Sequence, residues 1–231
     1  MNQETFKHHL SVFTSRDLNA VTAQFATYLN RLVTVNQVMN LTAIVTPDEV
    51  YEKHFLDSCL ISSTLQTGDK VADVGSGAGF PGVCLAILRD DIEVTLIEPT
   101  TKRSQFLSDL VLELGLKNVT VINDRAENLR DLRESYDVVT ARAVAPLSIL
   151  LELCVPLVKV GGLMIAMKGQ KAILELEEAQ HAIKMLHLSL LNADPVILPT
   201  AGLRYNLIFK KDLKTESMYP RAYNHIKKNP L

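Results

Sequence analysis

Three cysteines in 231 residues, Cys59, Cys84 and Cys154, stand far apart and match no metal-ligand spacing. Their scarcity excludes a disulfide framework and a cysteine-based metal site, and apolar neighbours make buried, reduced thiols the expectation. The six histidines are no better grouped. His54 and Asp57, three apart on an expected helix, form a pair, and two groups do not make a metal site. No apolar run approaches the roughly 20 residues of a membrane span. The opening MNQETFKHHL carries an acid and histidines and leads into no apolar core, so no secretory signal, and a cytoplasmic monomer without metal or membrane partner, are expected. Repeats and low-complexity tracts are missing too. A large net charge is also absent: the formal value is −2, which argues against a general polyanion binder.

What is present is an ordinary globular composition, 47% hydrophobic and 22% charged, enough for one large domain or one domain with an appendage. The charge is unevenly spread. Residues 203–231 hold seven Lys or Arg against Asp212 and Glu216, a net of +5, which leaves −7 on the residues before them. A basic tail on an acidic body reads either as a phosphate-contacting patch or as a solvated terminus.

Residues 1–66 lack strand alternation. Leu18, Val21, Phe25, Tyr28, Leu29 and Leu32 fall at helical spacing, and Thr46-Pro47-Asp48-Glu49 reads as a capping box that opens another helix carrying Tyr51, His54, Phe55 and Asp57. This is an N-terminal helical extension or cap. From 67 to 231, strands near 70–74, 92–97, 119–123, 136–141 and 162–167 alternate with helices near 81–89, 101–114, 146–157 and 171–184, with room only for a short helix between Asp124 and Ser135. Continuous apolar strands alternating with helices predict an α/β, mostly parallel, doubly wound sheet. Extended stretches at about 187–198 and 203–211, joined by Pro199-Thr-Ala-Gly202 with no helix between, predict an antiparallel terminal pair at a sheet edge.

The segment Val71-Ala-Asp73-Val-Gly75-Ser-Gly77-Ala-Gly79-Phe80-Pro81-Gly82 ends a strand in an acid and then a glycine-rich turn, with Pro81 expected at the first helical position. Read from Gly77 it satisfies G-x-G-x-x-G, the dinucleotide fingerprint, with Glu98 at a suitable distance. Yet Asp73-Val-Gly75-Ser lengthens the loop, and Phe80 and Pro81 crowd the place where pyrophosphate needs free amides. Read from Asp73 it resembles the first signature motifs of the Rossmann-like class I methyltransferases that use S-adenosylmethionine, a cofactor without pyrophosphate. Glu98, at the end of the next strand, then has two oxygens for a ribose diol. Asn123 to Glu127 lies where such enzymes hold adenine, although an exposed loop fits that composition equally well.

After the fourth strand come Thr140-Ala-Arg142-Ala-Val-Ala-Pro146, with no Asn/Asp-Pro-Pro-aromatic run for amine methylation and no cysteine nucleophile for pyrimidine carbon methylation. An arginine remains, suited to phosphate, carboxylate or a guanine edge. Asn40-Leu41-Thr42, His54-Phe-Leu-Asp57-Ser58, Asp73 to Gly82, Lys102-Arg103 with Phe106-Leu107, Arg125-Ala126-Glu127, Ala141-Arg142-Ala143, Lys168-Gly169 and Tyr219-Pro220-Arg221 follow in one order. Together they resemble the small-subunit ribosomal RNA methyltransferase G family, also called glucose-inhibited division protein B, from about Asn36 to the C-terminus. Ala141 stands where serine is common in that family.

The resemblance implies S-adenosylmethionine-dependent methylation of N-7 of guanine-527 in 16S rRNA, with the RNA or the small ribosomal subunit as partner. It implies a cofactor site at Gly75, Phe80, Ala126, Glu127 and Arg142, to which spacing adds Asp73, Gly77, Gly79 and Glu98. Arg142 is the catalytic candidate, orienting the base or the cofactor carboxylate, and no general base is expected because N-7 carries a free lone pair. Lys102 and Arg103 sit in the first turn of a helix, where the macrodipole disfavours cations, which points to RNA. Lys168, Arg221, Lys227 and Lys228 complete an expected basic rim. Three rivals are a small-molecule methyltransferase with the N-terminal helices as a lid, a catalytically silent binding module, and an NAD-dependent oxidoreductase. The tail and Arg142 weigh against the first, the intact glycine run against the second, and the loop length against the third.

Overall fold

The computed structural model describes residues 1–193 and 195–231. Helices α1 (Gln3–Leu10) and α2 (Leu18–Met39) come first. The Asp17 carboxylate accepts the Ala20 N–H at 2.8 Å and starts α2, and Asn40 ends it in the left-handed conformation at φ 49°. The stripe Val21, Phe25, Tyr28, Leu29 and Leu32 is buried, as its spacing predicts. A continuous helical run follows: α3 (Pro47–Val50), a π-helical turn (Tyr51–Leu56), α4 (Asp57–Cys59) and a 3-10 turn (Leu60–Thr64). The expected capping box does not form. Thr46 Oγ1 donates to Glu49 Oε2 at 2.5 Å and Lys53 Nζ to Glu49 Oε1 at 2.6 Å, so these side chains satisfy one another and not the helix amides.

The alternation then begins with β1 (Lys70–Val74), α5 (Gly82–Leu88), β2 (Glu93–Ile97), α6 (Thr101–Glu113) and β3 (Val119–Ile122). Two 3-10 turns, Ala126–Asn128 and Arg130–Leu132, fill the short third-to-fourth link before β4 (Tyr136–Arg142), α7 (Leu147–Cys154) and β5 (Val158–Lys168). Last come α8 (Ala172–Glu178), α9 (Gln180–Met185), β6 (Leu188–Asn192), β7 (Pro195–Leu198), β8 (Gly202–Lys211) and α10 (Tyr223–Lys228). Two helix boundaries differ from expectation. Ala179, at φ −89° and ψ 6°, leaves the α-helical region and splits α8 from α9. Pro81 precedes α5, whose first N–H, that of Gly82, goes to Asp73.

The strands lie in the order β3-β2-β1-β4-β5-β8-β6, parallel from β3 to β5. The terminal pairing is richer than an edge hairpin. β8 lies inside the sheet, antiparallel to β5 through Leu163–Lys168, and its other side is shared between β6, opposite Ile208–Lys211, and β7, opposite Gly202–Tyr205. A ten-residue strand is long enough for two short partners, and alternation alone does not say which strand is central.

Strand order reverses at β1, with β2 and β3 added on one side and β4 and β5 on the other, so the loops leaving β1 and β4 diverge and open a crevice at their carboxyl ends. One core cluster joins α1, α2 and the 47–65 run to α5 and α6. The other joins α7, α9 and α10 to β4, β5 and β8. The first is aromatic: Phe6 meets Phe25 edge-on at 4.9 Å, Phe25 and Tyr28 meet Phe55 at 4.9 and 5.0 Å, and Tyr28 stacks on Phe80 at 5.4 Å. Phe55 has no exposed surface and carries the contact between the N-terminal helices and the glycine-rich loop. Phe55→Ala is expected to lower unfolding free energy by about 3 to 5 kcal/mol, through forfeited transfer energy and the residual cavity. A chemical-denaturation midpoint unchanged from wild type would contradict this.

Candidate active site

The glycine-rich loop is held by two carboxylates. Asp73, at the end of β1, is fully buried and accepts the Gly82 N–H at 3.0 Å, while its Oδ1 has no partner. Burial, opposed by the Gly82 hydrogen bond, pushes its pKa up to about 7. Glu98, just past β2 and only 3% exposed, accepts the Gly77 N–H at 2.9 Å on one oxygen and the Thr100 N–H at 2.8 Å on the other. Gly75 N–H and Ser76 N–H both donate to Ile97 O, at 2.8 and 3.2 Å. Glycine is required at two places. Gly75 has φ 72°, and a Cβ there would lie 2.6 Å from a Val144 methyl. Gly79 has φ 103°, and a Cβ would lie 2.6 Å from the Tyr28 hydroxyl, which itself donates to Ala78 O at 2.5 Å.

Arg142, the last residue of β4, crosses the crevice toward the π-helical turn. Its guanidinium lies 4.8 Å from the Phe80 ring centroid. Nη1 donates to Asp57 Oδ2 at 3.0 Å and to Lys53 O at 3.2 Å, and Nη2 donates to His54 Nδ1 at 3.1 Å. Arginine has no acceptor, so His54 is neutral, with its proton on Nε2 and donated to Thr42 Oγ1 at 2.8 Å. Burial, then the Arg142 charge, holds the His54 pKa down at about 3. The His54 ring stacks on Phe80 at 4.4 Å and 22°. Asn40-Leu41-Thr42 and His54 to Asp57 thereby acquire a geometric role that spacing alone did not assign. Arg204 on β8, whose Nε is 4.0 Å from Asp57 Oδ1, was not singled out by the sequence. Ala143, next to Arg142, has φ 58°, an unfavourable left-handed conformation for a residue with a side chain.

Two cavities open here and share Val144. The smaller, about 190 Å³, is walled by Val74, Gly75, Ile97, Pro99, Ala126 and Glu127, with Arg125, Leu153 and Tyr223 completing it. The larger, about 350 Å³, is lined on its polar side by Asp57, Arg142, Lys168, Glu175, Arg204 and Asn206. Of the expected cofactor residues, Gly75, Ala126 and Glu127 border the first and Arg142 the second. Asp73, Gly77, Gly79, Phe80 and Glu98 lie behind these walls and shape the loop. Two members of the expected basic rim are already paired within the chain. Lys168 Nζ donates to Ala145 O at 2.6 Å and Glu175 Oε2 at 2.7 Å. Arg221 grips the buried Glu152 with Nε and Nη2 at 2.8 and 2.6 Å. Both charges are committed to neighbours within the chain. Lys102, Lys227 and Lys228 are exposed and Arg103 is partly so, and none is in an ion pair among the described residues. The three cysteines are buried and reduced, and burial pushes the Cys84 thiol up to about 12.

A glycine cradle that a Cβ would fill, an orphaned buried carboxylate oxygen beside it, and an apolar cavity with an acid at its rim fit the nucleoside and amino-acid ends of S-adenosylmethionine. With a parallel sheet extended by an antiparallel strand and a switch point between β1 and β4, they define a class I S-adenosylmethionine-dependent methyltransferase. Solved methyltransferases share the fold. An S-adenosylmethionine-dependent O-methyltransferase from Thermotoga maritima matches with a TM-score of 0.56 at 19% identity, over 80% of this chain and 73% of that one. An rRNA methylase from Streptococcus thermophilus matches at 0.51 and 18%, over 68% and 95%. The family of rRNA small subunit methyltransferase G matches residues 21–212. The ribosomal RNA small subunit methyltransferase G of Lactobacillus delbrueckii subsp. bulgaricus is 42% identical over the whole of both chains. That of Acholeplasma laidlawii is 46% identical over 90% of this chain and 91% of the other. The chain belongs to the rRNA small subunit methyltransferase G family.

The buried carboxyl of Asp73 makes a pH prediction. Its folded pKa of about 7 lies above the unfolded value near 4, so the native state holds a proton that the unfolded state has lost, and stability falls as pH rises from about 4 to 7. Asp73→Asn removes that contribution. Denaturation midpoints across this range are expected to show the variant gaining on wild type as pH rises, by at most about 1.4 kcal/mol per pH unit. Parallel profiles would place the Asp73 pKa at its ordinary value.

Proposed function

We propose that this chain transfers a methyl group from S-adenosylmethionine to N-7 of guanine-527 in 16S rRNA. The reading is carried by the 42% identity to a ribosomal RNA small subunit methyltransferase G over the full length of both chains. The site chemistry agrees with it. S-adenosylmethionine supplies an electrophilic methyl on sulfonium sulfur, and N-7 of guanine attacks with a lone pair that requires no deprotonation. The carboxylates at the larger cavity are engaged already, Asp57 with Arg142 and Glu175 with Lys168, so neither stands free as a base. The protein's part is to hold base and methyl in line and exclude water, and well-oriented partners reach effective molarities of order 10⁵ M or more. Gly75, Ala126 and Glu127 would bound the nucleoside. Asp73, Gly77, Gly79 and Phe80 would fix the loop at the amino-acid end, and Glu98, which already accepts the Gly77 and Thr100 amides, would offer its remaining lone pairs to the ribose diol. Arg142, immobilised by Asp57, His54 and Phe80, would orient the base or the cofactor carboxylate.

Lys102, Arg103, Lys227 and Lys228 are the cations we assign to RNA. Residues 1–66 act as a helical cap on the domain formed by 67–231, and the protein works as a monomer in the cytoplasm, where ribosomal subunits are its partner. Among the described residues no helix is long and apolar enough to cross a membrane, and no three His, Cys, Asp or Glu side chains converge as a metal site.

The direct test is transfer of label from S-adenosylmethionine to small subunits, or naked rRNA, from cells lacking the modification. Absence of label at a guanine in both would refute the reading. Arg142→Lys keeps the charge but loses the planar fork that reaches Asp57 and His54 together. Transfer is expected to fall by about 100-fold, the scale of a misplacement of about 1 Å, and wild-type turnover would remove Arg142 from the site. Neutralising Lys227 and Lys228 is expected to reduce the slope of log K against log salt by roughly 0.7 to 0.9 for each phosphate that the variant no longer engages. Lys168→Gln should leave that slope unaltered, because its ammonium already serves Glu175. An RNA-binding titration series in salt distinguishes the two.

A further inference from the structure

The smaller cavity has one wall that comes from far along the chain: Tyr223, at the start of α10. Three sets of contacts fix the segment that carries it. Glu152 on α7, with no exposed surface, accepts the Arg221 backbone N–H at 3.0 Å as well as two guanidinium bonds. Arg133 donates to Tyr219 O and, at 2.9 Å, to Thr215 O. Tyr219 and Ile226 are buried in the second core cluster. These contacts hold the backbone on either side of Tyr223, so the ring is placed and not merely tethered. Arg125, which directly precedes Ala126, sits 5.5 Å from the Tyr223 ring centroid. Most of the remaining wall is apolar, Val74, Ile97, Pro99, Ala126, Val144 and Leu153, and its one acid, Glu127, lies 3.8 Å from Arg125 Nη1. An aromatic ring bordering such a cavity, with a guanidinium over it, suits a planar heteroaromatic base.

We propose that Tyr223 is the adenine-stacking residue of the cofactor site, and that the segment from Arg221 to Ile226 belongs to the cofactor-binding machinery, with Lys227 and Lys228, just beyond it, left for RNA. The proposal rests on S-adenosylmethionine being the cofactor of this site. Loss of one base–aromatic stack weakens binding by about 5- to 140-fold in general.

Calorimetric titration of the full chain with S-adenosylhomocysteine tests it. Tyr223→Ala and Tyr223→Leu are expected to raise Kd about ten-fold, Leu because it restores apolar bulk without the ring. Tyr223→Phe is expected to stay within about two-fold of wild type. Kd for the RNA should not change in any of the three. The chain has no tryptophan and six tyrosines, so quenching of tyrosine emission on saturation is a second readout, and Tyr223→Phe is expected to lose part of it. Arg221→Ala, which frees the segment without touching the ring, is expected to weaken S-adenosylhomocysteine in the same direction. Wild-type Kd in Tyr223→Ala would overturn the proposal and leave the cofactor reading intact. Failure of the wild-type chain itself to bind S-adenosylhomocysteine would overturn both.

Discussion

A guanidinium crosses the crevice between the end of β4 and the π-helical turn, and its charge is matched by a carboxylate that is almost wholly buried. Arg142 and Asp57 come from opposite sides of the crevice, and without Arg142 the buried carboxylate would keep only Arg204, 4.0 Å away. Breaking such a pair from one side generally costs about 3 to 5 kcal/mol, so the helical residues before β1 and the end of β4 are bound in one electrostatic unit. Phe80 beneath the guanidinium extends that unit into the glycine-rich loop, and Tyr28 and Phe55 carry it to the N-terminal helices. Three stretches distant in sequence are thereby registered to about a hydrogen-bond length. Transfer to a nucleophile that needs no base depends on that kind of positional accuracy.

The two acids of the cofactor loop illustrate how backbone and ligand roles combine. Glu98 has both oxygens on backbone amides, one from the β1 loop and one from the start of α6, and so closes the gap between two strand ends. A carboxylate offers about four acceptor positions, and the two that remain suffice for a ribose diol. Asp73 differs: one oxygen holds Gly82, the other has no partner, and burial favours the protonated form. Acids at neighbouring strand ends are thus in different protonation environments, set by how many amides each can reach.

Much of this was legible in the sequence because it depends on local chain geometry. The five parallel strands, the stripe on α2, the glycine turn and the acid after β2 follow from apolar period and from residues with special backbone preferences. Side-chain pairing across elements was not legible. Lys168 and Arg221 look like RNA contacts when only charge is counted, and nothing near them in sequence announces that Glu175 and Glu152 neutralise them. Arg204 and Tyr223 reach the site from β8 and α10, which no motif spacing relates to β1. The capping box failed for a simpler reason: Lys53, one turn on, competes for Glu49. β8 became an interior strand because strand order is decided by which edges meet, and a hydrophobic pattern carries no record of that.

The widened turn at Tyr51–Leu56 gives chain length a catalytic meaning. A π-helical ring closes five residues on, where an α-helix closes four on, so the turn accommodates one residue that a regular helix has no room for. Excision of a single residue there would return the run to α-helix with its two flanks still in register, because the widened turn is what absorbs the extra residue, and would change which groups of the turn face the crevice. His54 and the Lys53 carbonyl would then leave Arg142 while every side chain in the site kept its identity. Within a lineage, an insertion or deletion at this turn is therefore a larger step than most replacements in the active site. A gap in an otherwise well-matched relative at residues 51–56 would mark an enzyme that holds its arginine in another way.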